Sequence, residues 1–291
     1  MFANYTSQIL RVNGVEIYAC SGGSGPPLLL LHGYPQSHLI WHKVANELGQ
    51  HFTVVATDLR GYGQSDKPPG LPDHANYSKR EMARDQVEVM RAFGHESFYV
   101  CGHDRGGRVA HRLAMDYPAS VKKLMLLDIS PTLAMYQQTN MEFASLYWHW
   151  FFLIQPAPFP EILISANPEF FLKKKIGAGF AGLSPFTDAA LAAYLASLSD
   201  PACVHAMCED YRASATIDLV HDREDRTAKQ KIACPLRVLW GEKGVIERCF
   251  DAMADWRAVG EQVDGRALPC GHYIPEEMPG ELLNEMKSFF A

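Results

Sequence analysis

Along the first 130 residues, short β-rich runs alternate with amphipathic segments of helix length, the rhythm that builds a parallel sheet covered by helices. Strands are predicted at Ile9–Val12, Val15–Ala19, Leu28–His32, Phe52–Thr57, Phe98–Gly102 and Lys123–Leu127, and helices at Ser37–Leu48, Ser78–Phe93 and Gly106–Tyr117. From about 130 to 228 the strand signal fades, and stretches rich in Met, Tyr, Trp and Ala read as helices between loops such as Gln155–Pro160. The alternation resumes with Leu236–Trp240, a helix through Asp251–Ala258, Gln262–Leu268 and a closing helix from Gly280. The expected organisation is an α/β core, residues 1–129 and 229–291, split by a helical cap inserted over 130–228. Such an insertion belongs over the carboxyl ends of the strands, where open α/β sheets bind their ligands.

Composition narrows the function without defining it. The 291 residues carry 27 Lys and Arg against 33 Asp and Glu, a formal charge of −6. That argues against nucleic acid as a partner, because backbone phosphates are normally met by a basic surface. At 47% hydrophobic and 21% charged, the chain reads as an ordinary globular protein. The densest apolar run, Trp150–Ile154, is far shorter than the roughly 20 residues of a membrane helix, and the first residues lack a basic start followed by a long apolar stretch. Seven cysteines show no C-x-x-C pair and no metal-like spacing, so reduced thiols in a cytoplasm and no metal are expected.

The chemistry concentrates at Gly102-His103-Asp104-Arg105-Gly106, between a predicted strand and a helix. Glycines at both flanks permit the tight turn that lifts one side chain above the sheet, with a helix N-terminus favouring an anion beside it. The lifted residue here is Asp104 rather than serine. A serine attacking saturated carbon leaves an ether that water cannot readily cleave, whereas a carboxylate leaves an ester open to a second attack. Asp104 alone also fits a helix N-cap. Three further segments favour catalysis. His32-Gly33-Tyr34 ends a strand and offers backbone N–H groups of Tyr34 and Arg105 to an oxyanion. His272 follows the last strand, in the chain order of this turn type. Asp58-Leu59-Arg60-Gly61 adds a loop whose acid reads as structural.

Together these segments resemble the α/β-hydrolase superfamily over essentially the whole chain, and within it the branch with an aspartate nucleophile. The resemblance implies a mostly parallel eight-stranded sheet flanked by helices and a catalytic triad. The histidine then needs an acid to orient it. Where many members place that acid, after Leu236–Trp240, this chain has Gly244; the strand before it ends in Asp128. Asp128 is the expected acid, with Asp251 and Glu242 as lesser candidates.

Arg105 and Arg108 stand three apart on the helix leaving the turn, so two guanidinium groups can reach one anion near Asp104. That suggests a substrate carboxylate, although a helix arginine more often pairs with a surface acid. Haloalkane dehalogenases of the superfamily usually have Trp at position 105, and epoxide hydrolases carry two cap tyrosines. Here Tyr211 looks like the second of these, but His149 stands about where the first belongs. Asp104, Arg105, Arg108, Asp128 and His272 with His149, Trp150 and Tyr211 are similar to the fluoroacetate dehalogenases. That resemblance implies hydrolysis of fluoroacetate or a related short 2-haloacid through an ester on Asp104, with His149, Trp150 and Tyr211 donating to the departing halide. It implies no cofactor and a homodimer. Tyr147, Trp148 and Phe151 read as packing. The rival readings are an epoxide hydrolase using the same triad and a non-catalytic receptor for a small molecule.

Overall fold

The computed structural model describes residues 2–291. Eight strands form one sheet: β1 (Thr6–Val12), β2 (Val15–Gly23), β3 (Pro27–Leu31), β4 (Thr53–Thr57), β5 (Phe98–His103), β6 (Val121–Leu127), β7 (Leu236–Gly241) and β8 (Val263–Leu268). Their spatial order is β1-β2-β4-β3-β5-β6-β7-β8. β1 and β2 pair antiparallel, as do β2 and β4, and every later pairing is parallel. Parallel strands need long crossovers, supplied by α1 (Ala45–Leu48), α2 (Lys79–Ala92) and α3 (Arg105–Asp116). Eight helices then separate β6 from β7: α4 (Thr132–Gln137), α5 (Met141–Leu146), α6 (Trp148–Leu153), α7 (Phe159–Ala166), α8 (Pro168–Gly177), α9 (Asp188–Leu198), α10 (Pro201–Ala215) and α11 (Ile217–Ala228). The chain closes with α12 (Val245–Cys249), α13 (Ala252–Arg257), α14 (Ile274–Glu277) and α15 (Pro279–Phe290).

Apolar residues cover both faces of the central strands, and the two faces feed different cores. Leu29, Leu31, Val100, Leu124, Leu126 and Val238 pack on one side, and Leu28, Leu30, Cys101, Met125, Leu127 and Leu239 on the other. The first core continues without a break into Phe143, Trp150, Tyr194 and Tyr211 of the helices between β6 and β7. Those helices are therefore seated on the body by hydrophobic burial, at about 25 cal/mol for each Å² of apolar surface removed from water.

The expected single helix over Ser37–Leu48 is broken. Residues His38–Trp41 form a 3-10 turn, and only Ala45–Leu48 is α-helical. Asp58 explains the break: its Oδ1 accepts from both the backbone N–H of His38 at 2.7 Å and the His38 ring at 2.8 Å, tying the turn to the end of β4. Among the described residues all seven cysteines are free, no helix is long and apolar enough to cross a membrane, and no group of three or more His, Cys, Asp or Glu could hold a metal ion.

Candidate active site

Parallel pairing brings the carboxyl ends of β3, β5, β6, β7 and β8 to one edge of the sheet, and each delivers one part of a site. His103 at the end of β5 lies beside Leu127 at the end of β6, so Asp104 and Asp128 follow adjacent strands. Asp104 is the single residue between β5 and α3, held at φ 48° and ψ −112°. Such a backbone costs about 1–3 kcal/mol for a residue with a Cβ. The flanking glycines make the turn possible by close approach: a Cβ on Gly102 would lie 2.6 Å from the Gly106 carbonyl oxygen, and one on Gly106 would lie 2.4 Å from that of His32. The strand and helix thus converge on one strained, nearly buried carboxylate.

The Tyr34 backbone N–H donates to Asp104 Oδ1 at 2.9 Å. Oδ2 lies 3.9 Å from His272 Nε2, too far for a hydrogen bond. On the other side of the ring, His272 Nδ1 donates to Asp128 Oδ2 at 2.6 Å, while Asp128 Oδ1 accepts from the Gly241 N–H at 2.8 Å. Asp128 is fully buried, and a Cβ added at Gly244 would lie 3.4 Å from Asp128 Oδ1. An acid on either strand end can therefore serve one ring. The two lesser candidates lie elsewhere: exposed Asp251 caps α13, accepting from Ala254 N–H at 2.9 Å, and Glu242 pairs with Lys243 at 2.9 Å.

Burial by itself would raise the Asp104 carboxyl, but its electrostatic interactions with His272, His103, Arg108 and Arg105 overcome it and hold Asp104 well below the usual carboxylate range. It is ionised at any ordinary pH. His103 is pushed down to about 3 by burial and then by His272, and its Nε2 donates to the His272 carbonyl at 2.8 Å, steadying the loop that carries His272. Tyr147, read from sequence as packing, does pack in the core against Phe143 and Trp150, and it also brings its Oη within 3.3 Å of His272 Nδ1.

Arg105 and Arg108 are both buried, so the surface ion pair expected of a helix arginine is absent at either. Arg105 is gripped from behind. Its Nε and Nη2 donate to the two oxygens of Asp210, each at 2.8 Å, and Nη2 donates to Ser214 Oγ at 2.5 Å. Asp210 also accepts from Tyr62 Oη at 2.7 Å and from Lys79 Nζ. Burial would raise this acid, but Arg105 and Lys79 keep it ionised. Among the described residues Arg108 has no acid partner. Its Nη1 donates to Thr132 Oγ1 at 2.9 Å and Ser130 O at 3.2 Å, and burial followed by the charge of Arg105 lowers its pKa.

Of the buried donors without a protein partner among the described residues, five belong to this site: Arg105 Nη1, Arg108 Nε, Trp150 Nε1, Tyr211 Oη and Tyr34 Oη. They are neighbours. The Arg105 guanidinium lies 4.1 Å from the Tyr211 ring centroid and that of Arg108 lies 4.5 Å from Trp150. Tyr211 packs edge-on against Tyr34, His149 and Trp150 at 5.2, 5.9 and 6.4 Å between centroids. His149, parallel to Tyr34 at 6.0 Å, is driven well below its ordinary pKa by burial and then by Lys175, so its ring is neutral. Buried polar groups are nearly always paired, so unpaired donors clustered beside an ionised carboxylate mark the place where a small anion or dipole fits. The structure thus brings together Asp104, His272, Asp128, Arg105, Arg108, His149, Trp150, Tyr211 and the Tyr34 amide, with the Arg105 amide at the first position of α3. Asp210, Lys79 and Ser214 were invisible in the sequence, where a mid-helix acid reads as solvated surface.

This elbow, its histidine and acid, and the eight-stranded sheet define an enzyme class, and the chain belongs to the α/β hydrolase family: the model of the alpha/beta hydrolase fold matches residues 26–174. It is a hydrolase of that family. Among relatives, it is 42% identical to a fluoroacetate dehalogenase from Burkholderia sp over 100% of this chain and 95% of that one. It is 32% identical to a soluble epoxide hydrolase from Corynebacterium sp. (strain C12), over 100% and 99%. A solved structure of a provisional alpha/beta hydrolase from Nostoc sp PCC 7120 superposes with a TM-score of 0.98 at 56% identity, covering 100% of this chain and 99% of that one.

Proposed function

We propose that the protein hydrolyses fluoroacetate, or a similarly short 2-haloacid, to the 2-hydroxy acid and halide through an ester on Asp104. The observation that carries this reading is the cluster of unpaired buried donors around an ionised aspartate: two arginine N–H groups for a carboxylate, and indole and phenol donors for a leaving halide. The similarity to the Burkholderia enzyme supports it.

In this mechanism Asp104 Oδ1, held by the Tyr34 amide, becomes the ester carbonyl oxygen, and Oδ2 attacks the α-carbon as the carbon–fluorine bond breaks. Arg105 and Arg108 hold the substrate carboxylate and offset its repulsion from Asp104. Fluoride is small and strongly hydrated, so it leaves a dry site only if donors replace water as its charge develops. Neutral His149, Trp150 and Tyr211 are such donors. His272, oriented by Asp128, then removes a proton from a water that attacks the ester carbonyl. The Tyr34 and Arg105 amides stabilise the resulting oxyanion. Collapse breaks the bond between the Asp104 carboxyl carbon and Oδ2, the product leaves with that oxygen, and the proton on His272 passes to it.

An epoxide hydrolase reading shares the triad and has a relative at 32% identity. It gives no task to the unpaired arginine groups, and His149 stands in place of a second phenol. Purified protein given fluoroacetate and styrene oxide separately decides between them. Fluoride detected by electrode, with styrene oxide unconverted, is the expected result; diol formation without fluoride release overturns the haloacid reading.

A further inference from the structure

A cavity of about 150 Å³ borders the site from outside, touching His149 and His272. Its wall includes Tyr147, Lys175, Lys243 and Arg248 and contains no aspartate or glutamate, in a chain whose formal charge is −6. The two outer cations are shared with acids behind them, Lys243 with Glu242 at 2.9 Å and Arg248 with Glu142 at 2.6 Å. Half-exposed pairs of that kind are screened and carry little field.

Lys175 is different. Its neighbours on α8, Lys173 and Lys174, are exposed, and Lys173 pairs with Glu169 at 2.6 Å. Lys175 turns inward instead, and among the described residues the only hydrogen bond of its Nζ is to Tyr273 Oη at 3.3 Å. It lies 5.8 and 5.7 Å from the ring centroids of Tyr34 and Tyr273, the first of which contributes to the inner donor cluster. No acid meets it directly. Burial lowers its amine to about 8, with the field of Asp104 opposing the shift. A partly desolvated cation without a carboxylate partner destabilises the fold unless an anion visits it.

We propose that Lys175 and this cavity form a transit site for small monovalent anions, holding a carboxylate or halide between solvent and the inner arginines. The inference rests on the haloacid reading for its substrate class. An incoming haloacid must approach the ionised carboxylate of Asp104, with Asp128 behind it, and a cation at the mouth offsets that repulsion where low-dielectric walls strengthen its field. Lysine suits transit better than arginine, because a compact ammonium attracts an anion without the bidentate grip that would retain it.

The test compares wild type, Lys175→Gln and Lys175→Arg at about 0.02 and 0.5 M ionic strength, across which the screening length falls several-fold. At low ionic strength Lys175→Gln should lose at least about 5-fold in kcat/KM for fluoroacetate, within the range of electrostatic steering. Lys175→Arg should keep most of it, and the gap should narrow at high salt. Acetate and bromide, added as inhibitors, separate the two anion sources: a weakened inhibition constant for acetate alone assigns the site to carboxylates, and for both extends it to halide. Unchanged kcat/KM and unchanged inhibition constants overturn the proposal, as does an equal loss at both ionic strengths. If wild type releases no fluoride yet converts an epoxide, the haloacid reading fails by itself. Acetate inhibition of that epoxide turnover then still decides the anion site, and a constant unmoved by Lys175→Gln sinks it.

Discussion

Asp210 and Tyr211 are consecutive residues on α10, both fully buried, yet they belong to opposite kinds of environment. Behind the site, every Asp210 oxygen is engaged by Arg105, Lys79 or Tyr62. Facing the site, among the described residues Tyr211 Oη has no protein partner, and neither has Trp150 Nε1. One wall is a finished scaffold and the other is an unfinished one, completed only when a ligand arrives. The difference separates two uses of a buried polar group: the paired groups fix where Arg105 points, and the unpaired ones are pre-oriented for charge that develops during reaction.

The largest effect expected from this contrast is on stability at the paired wall. Asp210→Ala leaves Arg105 buried without an acid and Lys79 with only Asp218 at 3.4 Å, and loss of one partner from a buried ion pair costs about 3–5 kcal/mol. Urea unfolding should show that loss; a change below about 1 kcal/mol would mean that the network is wet and loosely held. At the unpaired wall the large effect moves to activity. Trp150→Phe keeps most of the ring but removes the indole donor, so fluoroacetate turnover should fall roughly 10- to 100-fold, the scale of one charge-assisted hydrogen bond. Chloroacetate turnover should fall much less, because chloride is diffuse and leaves with less help. Equal losses on both acids would make Trp150 a packing residue. The smallest effect sharpens the contrast most: Tyr211→Phe should cost less than about 0.5 kcal/mol of stability, since its hydroxyl bonds no protein group, while still lowering fluoroacetate turnover. A stability loss of about 1 kcal/mol or more would show that the hydroxyl is part of the scaffold.

These two walls were also unequally legible in the sequence. The elbow was readable because its requirements are local: Gly102 and Gly106 flank the turn, and a strand and a helix adjoin it. Asp128 could be named because it directly follows β6 and because Gly244 stands at the other strand's acid position. Strand cores such as Phe98–Gly102 and Leu236–Trp240 stood out as apolar runs, and their observed ends differ by one residue. The buttress was hidden, since Lys79, Arg105 and Asp210 are far apart in the chain and nothing in a helix distinguishes a buried acid from a solvated one. The 3-10 turn at His38–Trp41 was missed for the same reason, because it depends on Asp58, a tertiary partner. Tyr147 was assigned to packing on an aromatic pattern that could not reveal its approach to His272.

The central claim is that Asp104, and not water, makes the first bond to the substrate carbon. A single turnover in ¹⁸O-water with enzyme in excess over fluoroacetate tests it directly. The ester mechanism predicts an unlabelled first product, because its new oxygen comes from Asp104, with the label appearing in the Asp104 peptide by mass spectrometry. Hydroxy acid labelled in the first turnover, with an unlabelled Asp104 peptide, would contradict it.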